Sequence, residues 1–254
     1  MKPLVFAALS VLFLTGCATP GAEPTATDDP LTGKITVLAA ASLTDSLDEV
    51  ADAFEARHPN VDVVISYGGS SALAQQVVEG SPVDVFFSAN ESTMTTVTEA
   101  GLTVEPSIVV TNVLEIAVPA GNPAGITDLT DFANPDFVIA LCDPAVPCGS
   151  AAAKLLDLVG VVASVDTLEE DVRAALTKVA LGEVDAALVY RTDVLAAGDD
   201  VDGIVVPEAD SIVNRYPISL IVDAPNPDAA QAFIDYVKSE DGIDVFTTAG
   251  FGTP

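Results

Sequence analysis

The chain has 254 residues, half of them hydrophobic, enough to bury a sizeable core and to divide into two lobes. Nine basic against 38 acidic residues give a formal net charge of −29, which argues against nucleic acid or an anionic membrane surface as an electrostatic partner. The only histidine, His58, sits in an Arg-His-Pro helix end far along the chain from Cys142 and Cys148, which argues against a metal-cation site.

Lys2 and the apolar run Leu4–Leu14 make a targeting segment too short to span a membrane stably. It ends in Leu14-Thr15-Gly16-Cys17, which resembles a bacterial lipobox. Residues 1–16 are then a lipoprotein signal peptide and Cys17 the lipidated mature N-terminus; an ordinary secretory signal with an incidental cysteine is the alternative. Residues 17–33 are rich in Pro, Thr, Ala and Asp and read as a disordered tether.

Lys34–Ala40 is a β-branched, apolar strand. Leu43, Leu47, Val50, Ala51 and Phe54 follow at helical spacing until His58-Pro59-Asn60 stops them. Val61–Tyr67 is the next strand, then Gly68-Gly69-Ser70-Ser71 leads into a short helix ending at Gly80. Strand Val83–Phe87 and helix Glu91–Ala100 continue the alternation, which argues for βαβ units on a parallel sheet. Ile108–Pro119 reads as one long crossing strand. Beyond it come strand Phe137–Leu141, helices Ser150–Val159 and Asp171–Leu181, strand Val184–Tyr190, helix Thr192–Ala197 and strand Gly203–Val206. Ile212–Val222, interrupted by Pro217, is the second crossing; helix Asp228–Lys238 and a turn over Ile243–Ala249 finish the chain. The expected fold is α/β with two lobes, 34–112 plus 218–254 and 113–217, each a mostly parallel sheet flanked by helices. Two extended crossings joining them suit hinge closure over a ligand.

Open α/β sheets bind ligands outside the carboxyl ends of their strands, where helix N-termini point. Four junctions there are small and donor-rich: Ser42 after Ala39–Ala41, Ser70 after Gly68-Gly69, the turn Asp143…Cys148-Gly149-Ser150, and Glu169-Glu170-Asp171-Val172-Arg173. Tyr190 adds a phenol at a strand end. Taken singly, Ser42 and Ser70 read as helix N-caps, Asp171 as a cap and Tyr190 as a core residue. Cys142 and Cys148, in an exported and oxidising context, bracket a turn-rich segment and suit a small-loop disulfide, with free thiols as the alternative.

Ala39-Ala40-Ala41-Ser42-Leu43-Thr44, Gly69-Ser70-Ser71-Ala72-Leu73-Ala74, Pro82–Ala89, Cys142-Asp143-Pro144…Pro147-Cys148-Gly149, Glu170–Arg173 and Leu188-Val189-Tyr190 together resemble the molybdate-binding proteins of bacterial ABC transporters. Arg215-Tyr216-Pro217 and Ala249-Gly250-Phe251 are similar too. The resemblance implies an extracytoplasmic, lipid-anchored solute-binding protein, a monomer without cofactor or catalytic residues. It implies capture of molybdate or tungstate and delivery to a permease and its ATPase. It further implies side-chain donors at Ser42, Ser70 and Tyr190 and backbone donors at Cys148 and Val172. Ser71 replaces Ser70 if the register slips by one, and Cys148 departs from the alanine of relatives. Sulfate on the same fold is the near alternative. A serine hydrolase is a remote one, because Gly68-Gly69-Ser70-Ser71-Ala72 lacks the closing glycine of a nucleophile elbow.

Overall fold

β-Branched and small apolar residues pack best on a pleated surface that is covered on both faces. In the computed structural model, which describes residues 30–254, such residues build β1 (Gly33–Ala40), buried from Val37 onward. The expected signal peptide, Cys17 and the tether as far as residue 29 lie outside the described residues. Strand β1 runs parallel between β2 (Val61–Gly68) and β3 (Val85–Phe87). Strand β10 (Asn214–Ile221) is inserted antiparallel between β3 and β4 (Thr103–Asn112), giving the order β2-β1-β3-β10-β4.

The second sheet repeats the plan in the order β7-β6-β8-β5-β9. Here β7 (Thr167–Glu169), β6 (Ile139–Cys142) and β8 (Ala186–Tyr190) are parallel, and β5 (Leu114–Pro119) lies antiparallel between β8 and β9 (Val201–Ile204). In both sheets the antiparallel strand is the one by which the chain arrives from the other sheet. This is an α/β fold of two lobes, each a mostly parallel sheet flanked by helices.

Helices cover the sheets with the apolar stripes their spacing prescribes. On one face of the first sheet, α1 (Thr44–Arg57), α7 (Pro227–Val237) and α8 (Glu240–Thr248) bury Leu47, Val50, Phe54, Phe233 and Phe246 against Val37 and Phe87. Such side chains contribute about 1.5–3 kcal/mol each when fully buried. On the other face, α2 (Ser70–Val78) and α3 (Glu91–Glu99) set Leu73, Val77, Met94 and Val97 on Leu38 and Phe86. In the second lobe, α4 (Pro147–Val159) and α5 (Val172–Ala180) pack Leu155, Ala175 and Val179 on Ile116, Ile139 and Leu188, and α6 (Arg191–Ala197) follows β8.

Four expectations are corrected. The strand expected over Ile108–Pro119 is two strands in different sheets; it breaks at Val113, whose N–H is taken by the Asn112 side chain at 3.0 Å instead of a ladder partner. Pro217 does not interrupt the second crossing. It falls at a register shift in β10, an irregularity that accommodates its missing N–H, and its carbonyl accepts from Ser88 N at 3.0 Å. The turn expected over Ile243–Ala249 is the last part of α8, started by Ser239, whose hydroxyl accepts from Gly242 N. Residues 214–217, drawn above with the second lobe, hydrogen-bond within the first sheet.

Candidate functional site

Ser42 lies inside a short 3₁₀ turn, Ala41–Leu43, between β1 and α1, and its side chain caps nothing. Its Oγ is 2.9 Å from the hydroxyl of Tyr216, and either oxygen could donate. Ser70 is the first residue of α2 after the Gly69 N-cap; its Oγ accepts the N–H of Ala89 at 3.0 Å. Neither serine therefore plays the capping role that such residues most often have. Ser71, one position on, gives its hydroxyl to the carbonyl of Ala145 in the other lobe at 2.6 Å.

Cys148 is the second residue of α4, and Val172 the first of α5, where the Asp171 side chain accepts from Ala174 N. First-turn amides have no acceptor within the helix, so both point their N–H groups outward. Cys142 and Cys148 are joined by a disulfide, Cα–Cα 5.8 Å, which ties the end of β6 to the first turn of α4. Tyr190 closes β8, fully buried; its hydroxyl accepts from Asn214 Nδ2 at 2.9 Å. Burial above all holds the phenols of Tyr190 and Tyr216 above their ordinary pKa, so both stay protonated donors.

Ser42, Ser70, Cys148, Val172 and Tyr190 all line one cleft between the two sheets, together with Gly69, Ala89 and Val146. The cavity there is about 10 Å³, room for about one water molecule and far below the roughly 300 Å³ at which pockets for drug-sized molecules begin. Among the described residues that line it, none carries a basic side chain. Arg173, one residue beyond Val172, is turned to Asp45 of the first lobe and, at 3.5 Å, to Asp193. Asp193 is buried and accepts the N–H of Tyr190 at 3.0 Å; burial pushes its carboxyl up to about 7, against the opposing pull of Arg173. The lobes meet closely at this point. A Cβ on Gly69 would fall 2.4 Å from the carbonyl oxygen of Glu170 across the cleft. Such an enclosure of hydroxyls and amides can donate hydrogen bonds to a small anion; it has no base beside either serine to make a nucleophile.

Residues 35–252 match the model of a family described as bacterial extracellular solute-binding protein. The chain belongs to that family. It is thus an extracytoplasmic solute-binding protein and not an enzyme. The molybdate-binding protein ModA of Mycobacterium tuberculosis (strain H37Rv) is 36% identical to it over 221 residues, 87% of this chain and 85% of the relative. The Azotobacter vinelandii periplasmic molybdate-binding protein superposes with a TM-score of 0.77 at 20% identity, over 87% of this solute-binding protein and 99% of the other. The sulfate-binding protein SubI of Mycobacterium tuberculosis H37Rv superposes with a TM-score of 0.75 at 23% identity, over 86% of each chain. These two superpositions speak to the fold.

Four residues around the cleft escaped the sequence: Tyr216, Asn112, Asn214 and Asp193. Tyr216 stood in a family-like motif without a role. The asparagines carried a signal that went unused, since a buried amide in the middle of an apolar crossing strand needs partners to justify it.

Proposed function

We propose that this solute-binding protein captures molybdate, and tungstate equally, in the cleft between its lobes and hands it to the permease and ATPase of an importer. It works as a monomer without a cofactor or direct metal-cation ligands, held to the outer face of the membrane by lipid on Cys17. The observation that carries the ligand is the donor set: hydroxyls of Ser42, Ser70 and Tyr190 and first-turn amides of Cys148 and Val172 line one small cleft. Helix N-termini carry roughly half a positive charge each, so a dianion can be held there by neutral groups. The chain's strongly acidic surface is no obstacle, because beyond about 8 Å it is largely screened at physiological salt. The similarity to molybdate-binding relatives favours molybdate over the sulfate that the same fold holds in SubI.

Thermal unfolding with molybdate, tungstate, sulfate and phosphate tests this directly. At about 1,000 times its dissociation constant a ligand adds roughly 4 kcal/mol, a rise of roughly 8–16 °C for a domain of this size. Molybdate and tungstate should act at micromolar levels. A response to sulfate or phosphate in their place would overturn the assignment. Ser42→Ala and Ser70→Ala should each weaken molybdate binding by about 1.5–3 kcal/mol, the worth of a hydrogen bond to a charged group.

A further inference from the structure

Asn214 opens β10, and its partner across the ladder is Asn112, the last residue of β4. The two amides thus sit opposite each other where the crossing strands pass between the sheets, 7% and 4% exposed. Nδ2 of Asn214 donates to the carbonyl of Ala89 and to the hydroxyl of Tyr190, each at 2.9 Å. A carbonyl only accepts, so the nitrogen of the amide, not its oxygen, must face this pair. Its other hydrogen then occupies a lone pair of the Tyr190 oxygen, so the phenolic proton is turned away from Asn214, toward the cleft and the Tyr216 hydroxyl beside it. Ala89, whose carbonyl Asn214 holds, sends its own N–H to Ser70 Oγ, so Ser70 too keeps a proton to give. Asn112 repeats the pattern. Its Nδ2 donates to Thr192 Oγ1 at 2.8 Å, and its side chain is hydrogen-bonded to the Tyr216 hydroxyl that meets Ser42.

We infer that Asn214 is the positioning residue that sets the site's selectivity. By donating to Tyr190 in one lobe and to the carbonyl of Ala89, the residue whose N–H meets Ser70, in the other, it sets both hydroxyls as hydrogen-bond donors toward the cleft. The inference rests on the oxyanion reading above. A ligand oxygen that carries a proton then meets a donor at Ser70 or Tyr190 and leaves it unsatisfied, which a fully deprotonated oxyanion avoids. An aspartate at 214 would reverse the arrangement at Tyr190. Its carboxylate would draw the phenolic proton to itself and turn a phenol lone pair toward the ligand.

The test measures dissociation constants for molybdate and for inorganic phosphate by calorimetry at pH 7. It compares wild type, Asn214→Asp, Tyr190→Phe and the double variant. Asn214→Asp is expected to weaken molybdate by at least about tenfold and phosphate by much less, so the ratio between the two anions falls. In the Tyr190→Phe background the same change should matter several times less. Equal losses for both anions, or the same loss with and without the Tyr190 hydroxyl, would refute the role. If circular dichroism shows Asn214→Asp unfolded, Asn214→Ala carries the same comparison, again with a loss that depends on Tyr190. A wild type that takes up no oxyanion would sink the proposed function itself; an unaltered Asn214→Asp in a wild type that binds would sink this inference alone.

Discussion

Asp193 makes the stability of this protein depend on pH in a direction opposite to that of most carboxylates. Its folded-state value of about 7 stands above the ordinary 3.8 because burial penalises the charge more than Arg173 and the Tyr190 N–H relieve it. Between those two values the folded chain holds a proton that the unfolded chain has released. Stability contributed by this group is therefore present below about pH 4 and is lost as pH rises toward 7. At 1.36 kcal/mol per unit the full gap amounts to about 4 kcal/mol, of which roughly 2–3 kcal/mol falls between pH 5 and 8. Asp193→Asn removes the titration while leaving an oxygen to accept the Tyr190 N–H. Its amide nitrogen then faces Arg173, a penalty that is the same at both pH values and cancels. Urea unfolding of wild type and variant at pH 5 and pH 8 should show the variant gaining roughly 2–3 kcal/mol on the wild type between the two conditions. Parallel pH dependences would refute the account, and would mean that Arg173 keeps Asp193 ionised throughout.

Other outcomes follow from the cleft's geometry. Gly69→Ala suits the backbone, φ −61° and ψ 122°, but its Cβ would press on the Glu170 carbonyl of the opposite lobe. The ligand-free protein should lose about 1–3 kcal/mol of stability and molybdate affinity should fall as well, as calorimetry with and without the anion would show. Replacing Cys142 and Cys148 together by serine opens a loop whose ends are six positions apart, which should lower stability by about 2 kcal/mol in urea unfolding. Binding should survive that change in weakened form, because residue 148 donates through its backbone.

Much of the fold was legible because local chemistry and global structure agree. The strand starting at Lys34, the helix stopped by His58-Pro59 and the strand ending at Tyr190 are each marked by an apolar period and a breaker, and each lies within a residue or two of its expected place. The break at Val113 was not legible, since no glycine or proline marks it. It is imposed by the Asn112 side chain and by the chain's passage from one sheet to the other. β7, three residues on a sheet edge, is too short to leave a period. The five lining residues could be named from junctions and family resemblance. The partners of those hydroxyls could not, because Ser70 meets Ala89, Tyr190 meets Asn214 and Ser42 meets Tyr216 only through the tertiary fold.

The placement of β10 has a consequence for the order in which the molecule can assemble. The second sheet is complete once residue 204 has emerged, whereas the first still has the facing rims of β3 and β4 unzipped and waiting for residues 214–221. The half that begins the chain is thus the half that must finish last. Until then its bare rims are open to pairing with a neighbouring chain. A truncation short of Asn214 would spare the younger half and ruin the older one.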